Sequence, residues 1–152
     1  MANKFFPVSI DLNDKNILVI GAGKISLRKI ETLLKYNCNI TVITKEVLEE
    51  KFFDLEKDDK IKILKYQEFE EKFLENIFLV IAATDDEVLN KNISQLCISK
   101  NILVNNITSK DDMNVRFASI YEKDDIQIAI SANGNPKKAV EIKHKIKDIF
   151  EK

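Results

Sequence analysis

Glycine is scarce in this chain, with three residues among 152. Two of them, Gly21 and Gly23, stand two positions apart, so the backbone freedom that glycine supplies is concentrated at one turn. Cysteine is limited to Cys38 and Cys97, isolated and without metal or redox spacing. They read as buried or incidental thiols of a reducing cytoplasm, which is the expected location. The one histidine, His144, lies among lysines. Metal ligands come in clusters, so it reads as a surface residue and no metal is expected. No apolar run reaches the ~18 residues of a spanning helix. Met1-Ala2-Asn3-Lys4 leads straight into a strand-like segment, without the apolar core of a signal peptide. A formal net charge of −1 gives no general argument for nucleic acid or a membrane as partner, and neither is expected. A Ser-His-Asp arrangement, a Walker loop and a metal-spaced Cys/His set are absent as well.

What is present is an α/β pattern. Apolar residues at 45% and charged residues at 32% suit a globular protein. At this length one domain with a small appendage can bury roughly 70% of its unfolded surface. Asn16-Ile17-Leu18-Val19-Ile20 is a strand that stops at Gly21, and an amphipathic helix begins directly after Gly23. Gly21 allows the tight turn, and Gly23 lets a pyrophosphate approach the backbone. The first amides of the helix and the positive end of its dipole then hold the anion. Ser26 at the third fingerprint position is small enough for close helix–sheet packing. A tight turn of this form also occurs with no ligand; the strand before it and the helix after it favour a dinucleotide.

Residues 5–12 alternate weakly and carry Pro7, which predicts an edge strand. The helix after the glycines places Ile25, Ile30, Leu33 and Leu34 on one face. It ends near Tyr36-Asn37, where Asn37 takes the left-handed capping role. Residues 40–43 and 61–64 are the second and third strands, with a helix over 47–55 between them and a short one over 68–76. Residues 77–83 form the most continuously apolar run, as expected of a central parallel strand buried on both faces. Thr84 and Glu87 have capping-box spacing. They precede a helix over 87–100 that turns Val88, Leu89, Ile93, Leu96 and Cys97 to the sheet, and residues 102–104 are the fifth strand. Beyond it, 117–121 and 126–130 predict an antiparallel hairpin. Pro136 opens a last helix with the stripe Ala139, Ile142, Ile146, Ile149 and Phe150. The expected fold is therefore α/β: a Rossmann-like parallel sheet over residues 1–112, then a small α/β segment of hairpin plus helix over 113–152.

In a doubly wound sheet, ligands bind beyond the carboxyl ends of the strands at the switch point. Three loops meet there: Gly21, Ala22, Gly23, Lys24 and Ile25; Thr44, Lys45 and Glu46; and Ala83, Thr84, Asp85 and Asp86. The acid that usually reads the adenosine ribose is not at the end of the second strand. Thr44 stands there with Glu46 two residues on, which leaves NAD against NADP open. Thr84, Asp85 and Asp86 serve as a helix cap, alone or together with a cofactor contact. Lys137, Lys138, Lys143, Lys145 and Lys147 form a solvated helix face, and with Arg116 and Lys110 some of them can form a cationic rim for a polyanionic substrate.

Several segments in order resemble the precorrin-2 dehydrogenases, the dehydrogenase part of siroheme synthase. They are Phe6-Pro7-Val8-Ser9-Ile10-Asp11-Leu12, Gly21-Ala22-Gly23-Lys24-Ile25-Ser26-Leu27-Arg28-Lys29, and Val80-Ile81-Ala82-Ala83-Thr84-Asp85-Asp86 with Leu89-Asn90. Ile102-Leu103-Val104-Asn105, Ile126-Gln127-Ile128-Ala129-Ile130-Ser131 and Gly134-Asn135-Pro136 follow. The resemblance implies a cytoplasmic homodimer, built through the tail segment, that oxidises precorrin-2 to sirohydrochlorin with NAD. It places Gly21, Gly23, Lys24, Ile25, the loop from Thr44 to Glu46, Thr84 and Asp85 at the cofactor. Asn105, Arg116, Lys137 and Lys138 are assigned to the anionic tetrapyrrole. Two departures bear on the chemistry. Thr108 aligns with an aspartate that the family carries after the fifth strand, and a threonine is no base near neutral pH without help, so either Asp111 or Asp112 substitutes or the proton goes elsewhere. Typical members also continue into a larger helical region, which makes iron insertion, performed by some members, the weaker inheritance. The alternative from another class is a non-catalytic module that senses NAD or carries a tetrapyrrole.

Overall fold

The computed structural model describes residues 3–152; Met1 and Ala2, where the leaderless reading begins, lie outside the described residues. The chain divides into two compact units, one running to Val115 and the other Arg116–Lys152. In the first, β1 (Asn16–Ile20), β2 (Asn39–Thr44), β3 (Lys62–Lys65), β4 (Leu79–Ala82) and β5 (Leu103–Asn106) pair in parallel in the order β3-β2-β1-β4-β5. The connections carry α1 (Lys24–Leu33), α2 (Lys51–Lys57), a 3-10 turn (Glu71–Leu74) and α3 (Glu87–Ser99). Parallel pairing brings all carboxyl ends to one edge: Ile20 is level with Ile43 and Ala82, and Ala82 with Asn106. Strand order reverses between β1 and β4, so the switch point lies beyond Ile20 and Ala82.

β4 is buried along its whole length, and β1 from Ile17 to Ile20, as their uninterrupted apolar runs require. Leu18, Ile20, Ile43, Val80, Ala82 and Val104 share one cluster with Ile93 and Cys97 of α3. The buried stripe of α1 is Ser26, Ile30 and Leu33. Ile25, expected on that stripe, is 47% exposed; the spacing 26, 30, 33 is the one that fits a 3.6-residue turn against the sheet. Val88 is likewise exposed, and the buried line of α3 is Asn90, Ile93, Ser94 and Cys97.

Residues 5–12 form no strand, and Phe6, Val8 and Ile10 are exposed. β1 has a neighbour on each side, and the outer edge of β5 is occupied by Asn114. Its Oδ1 accepts the Val104 N–H at 2.7 Å, its Nδ2 donates to the Ile102 carbonyl at 3.0 Å, and its own N–H donates to the Val104 carbonyl at 3.2 Å. One side chain thereby covers an edge that would otherwise pair with another chain. Helix α1 stops at Leu33, and Asn37 is not left-handed; its Nδ2 donates to Asn13 Oδ1 at 2.6 Å. Helix α2 starts only at Lys51, because the preceding residues are drawn to the glycine turn through the Leu48 N–H.

In the second unit, β6 (Ser119–Lys123) and β7 (Ile126–Ile130) form an antiparallel hairpin whose turn places Asp124 at φ 54°. α4 (Pro136–Phe150) begins with Pro at its first turn, and Asn135 caps it by accepting the Lys138 N–H at 3.1 Å. Tyr121, Ile130 and Ala139 are buried, and the Tyr121 and Phe150 rings lie 5.9 Å apart. Ile149 and Phe150, expected on the buried stripe, are 67% and 41% exposed. Fifteen helical residues outrun a hairpin of five-residue strands, so the end of α4 is covered on one side only, where Phe150 meets Tyr121. Among the described residues no helix is long and apolar enough to cross a membrane.

Burial pushes the Cys97 thiol up to about 11, whereas a thiol in an unfolded chain ionises near ~8.5. Between those values the unfolded chain has released a proton that the folded chain keeps. Stability is therefore full below the lower value and declines as pH rises toward the upper one. Urea midpoints measured on the alkaline side will fall more steeply for the native chain than for Cys97→Ala.

Candidate functional site

The two glycines of the turn have different reasons to be glycine. Gly21 sits at φ +108°, and a Cβ there would lie 2.2 Å from the Ala83 carbonyl oxygen. The backbone after β1 thus packs directly on the backbone after β4, and the Gly21 N–H donates to the Ile43 carbonyl at 2.9 Å. Gly23 has an ordinary extended conformation, φ −102° and ψ −172°. A Cβ there meets nothing nearer than Leu48 Cδ1 at 3.9 Å. Neither backbone strain nor packing asks for glycine at Gly23; close approach of a bound group does, and this is the cradle that a pyrophosphate fits.

The helix end beside it agrees. α1 has Gly23 as its N-cap, no side-chain cap and no acid in its first turn. α3 and α4 are closed by Asp86, which accepts the Leu89 N–H at 3.0 Å, and by Asn135. The amides of Lys24 and Ile25 therefore remain at the mouth of the crevice for an anion. Ser26, 1% exposed, donates its hydroxyl to the Gly23 carbonyl at 2.9 Å and sets the shape of the turn.

The loop after β2 folds over this turn, with the Leu48 N–H donating to the Ala22 carbonyl at 3.1 Å. Thr44 is 6% exposed; its hydroxyl donates to the Glu46 carbonyl and accepts the Glu46 N–H, so it shapes the loop. Lys45 reaches Glu68 at 2.9 Å. The hydrogen bond to Glu68 and then its charge hold the Lys45 ammonium above the usual lysine value, with Asp86 and Asp85 adding to it.

The loop after β4 is organised by Asn90, a residue not among the candidates above. Its Oδ1 accepts the Thr84 N–H (3.1 Å) and the Thr84 hydroxyl (2.6 Å), and its Nδ2 donates to the Thr84 carbonyl (3.0 Å) and to Thr108 Oγ1 (3.2 Å). The expected Thr84–Glu87 capping box does not form, because Thr84 is committed to Asn90 and Asp86 is the cap. An asparagine at 0% exposure on the buried line of a helix is the signal that singles Asn90 out. The Thr108 hydroxyl also donates to Asn106 Oδ1 at 2.9 Å and is thereby occupied in both directions. Asn105 Oδ1 and Asn106 Nδ2, at the carboxyl end of β5, are buried without a hydrogen-bond partner among the described residues. Asn105 itself is turned inward, donating to the Val115 carbonyl at 3.2 Å.

A cavity of about 260 Å³ lies between the first turn of α3 and the loop after β5, lined by Glu87, Val88, Lys91, Thr108, Ser109 and Asp112. Asp112 Oδ2 accepts the Ser109 hydroxyl at 3.1 Å. Asp111 is exposed and does not line the cavity. Arg116, Lys137 and Lys138 belong to the second unit, the two lysines exposed in the first turn of α4. His144 is exposed on α4. Among the described residues no group of three or more His, Cys, Asp or Glu is placed to hold a metal ion.

A parallel sheet with a glycine turn, an uncapped helix end and a second loop at the switch point defines a dinucleotide-binding protein of Rossmann type. The chain belongs to the NAD_binding_7 family, whose model is described as "Putative NAD(P)-binding" and matches residues 8–119. It is 38% identical over 130 residues to the siroheme synthase of Mannheimia succiniciproducens, covering 86% of this chain and 27% of that protein. The siroheme synthase of Buchnera aphidicola is 39% identical with the same coverage. The chain thus spans about a quarter of the length of these curated relatives. Among solved structures, SirC, a precorrin-2 dehydrogenase, superposes with a TM-score of 0.81 at 26% identity, over 95% of this chain and 70% of that one. GenD2 from gentamicin A biosynthesis, in complex with NAD, has a TM-score of 0.50 at 16% identity over 71% of this chain and 32% of its own, a likeness of fold alone.

The two glycines will separate in a substitution test. Gly21→Ala will lose ~3 kcal/mol or more in urea unfolding, from positive φ and a backbone clash together. Gly23→Ala will change stability by less than ~1 kcal/mol. It will nonetheless weaken NADH binding, followed by nicotinamide fluorescence, at least tenfold.

Proposed function

We propose that this chain is an NAD-dependent precorrin-2 dehydrogenase, oxidising precorrin-2 to sirohydrochlorin. The observation that carries the reading is the match to SirC over 95% of the chain, with the glycine turn and the Asn90-held loop at the switch point. The nicotinamide, when bound, supplies the hydride acceptor. In this reading the amides of Lys24 and Ile25 hold the pyrophosphate, Gly21, Ala22 and Gly23 let it approach, and Ala83, Thr84 and Asp85 flank the cofactor.

Loss of a hydride from the substrate must be matched by loss of a proton. Thr108 has no capacity for it, since its hydroxyl already donates to Asn106 and accepts from Asn90. Asp112 lines the same cavity as Thr108 and is the proton acceptor in this reading; Asp111 lies outside that cavity. Arg116, Lys137 and Lys138 are assigned to the substrate carboxylates, the protein to a homodimer built through the second unit, and its place to the cytoplasm. The exposed Ile149 and Phe150 of α4 support that dimer. The non-catalytic alternative keeps one specific support, the sealed Thr108 hydroxyl.

The test is incubation of the pure protein with precorrin-2 and NAD⁺, followed by sirohydrochlorin absorbance. Acceleration over spontaneous oxidation is expected; tight NADH binding with precorrin-2 left unchanged selects the binding module. Asp112→Asn is expected to lower kcat by about 100-fold or more, the usual scale for a positioned base, with NADH affinity little changed. Asp111→Asn will have the smaller effect.

A further inference from the structure

The geometry points to the loop after β2 as a device that selects the dinucleotide lacking a 2′-phosphate, with the Lys45–Glu68 pair as its determinant. This deepens the reading above and rests on the glycine turn seating a dinucleotide. With the pyrophosphate at Gly23, the adenosine ribose comes to the end of β2, where Rossmann proteins place either an acid for a free 2′-hydroxyl or a cation for a 2′-phosphate. The loop borders that position: the Leu48 N–H is bonded to the Ala22 carbonyl, and Leu48 Cδ1 is the nearest atom to a Cβ at Gly23.

Lys45 is the cation this loop carries, and by itself it would welcome a phosphate. The continuation of β3 prevents that. The Gln67 N–H donates to the Thr44 carbonyl at 3.2 Å, which runs Glu68 alongside Lys45 and closes the 2.9 Å ion pair. Asp85 and Asp86, from the loop after β4, also act on the Lys45 ammonium. One cation therefore faces three acids, Glu68, Asp85 and Asp86. A 2′-phosphate would add about two more negative charges to a field that is already net negative, within a Debye length of ~8 Å. A bare ribose meets no such repulsion, and the Glu46 carboxylate offers its hydroxyls an acceptor.

The pair is exposed on both sides and contributes little to folding, so its substitution reads out on binding. Dissociation constants for NADH and NADPH, measured by nicotinamide fluorescence on the full chain, are expected to favour NADH at least tenfold. Glu68→Gln frees Lys45 and should shrink that preference about three- to tenfold, and Lys45→Ala in the Glu68→Gln chain should restore it. Rising salt should shrink the preference of the native chain as well. Equal affinities in the native chain, or a preference unmoved by Glu68→Gln, overturns the inference. Failure to bind either dinucleotide overturns the underlying reading instead.

Discussion

The contact on which the site depends is between two backbones, Gly21 against the Ala83 carbonyl, with no side chain between them. Because β1 and β4 are parallel neighbours, their chains leave the sheet side by side and must diverge at once. A side chain at Gly21 would push them apart and tilt α1 away from the edge of the sheet. With the contact made, Gly23 and the first amides of α1 face the crevice. In the proposed reading, this is how a short turn converts strand pairing into an anion site.

Rigidity on the other side of the crevice comes from amides. Asn90 uses both ends of its side chain to fix the loop after β4 and reaches Thr108 in the loop after β5. A satisfied polar network in a buried place holds one geometry, because every alternative leaves a buried group unpaired. The same network explains what a threonine does at a position where the resembling family carries an aspartate. Its hydroxyl closes the ring between Asn90 and Asn106 and is not available for proton transfer. The carboxylate that shares its cavity, Asp112, is held one turn away by Ser109.

Much of the architecture was legible in local pattern. Uninterrupted apolar runs named β1 and β4 as central strands, two close glycines named the turn, and Pro136 named the start of α4. The misread elements have a common cause. Residues 5–12 have strand-like alternation, and Ile25, Val88 and Ile149 have the apolar character of core, yet Phe6, Val8, Ile10 and these three side chains stay exposed. Alternation records what a segment can cover, and burial depends on what stands opposite.

The sequence by itself determined the class of fold and the place of the glycine turn at the edge of the sheet, because strand, glycine turn and helix are contiguous in the chain and their physics is local. Only the tertiary structure decided which groups face one another across that crevice. Asn90 with Thr108, Asn114 with the edge of β5 and Lys45 with Glu68 are separated by 10 to 23 residues. Pairings at that distance are set by how the sheet orders its strands, a property of the whole packed unit that no window of sequence carries.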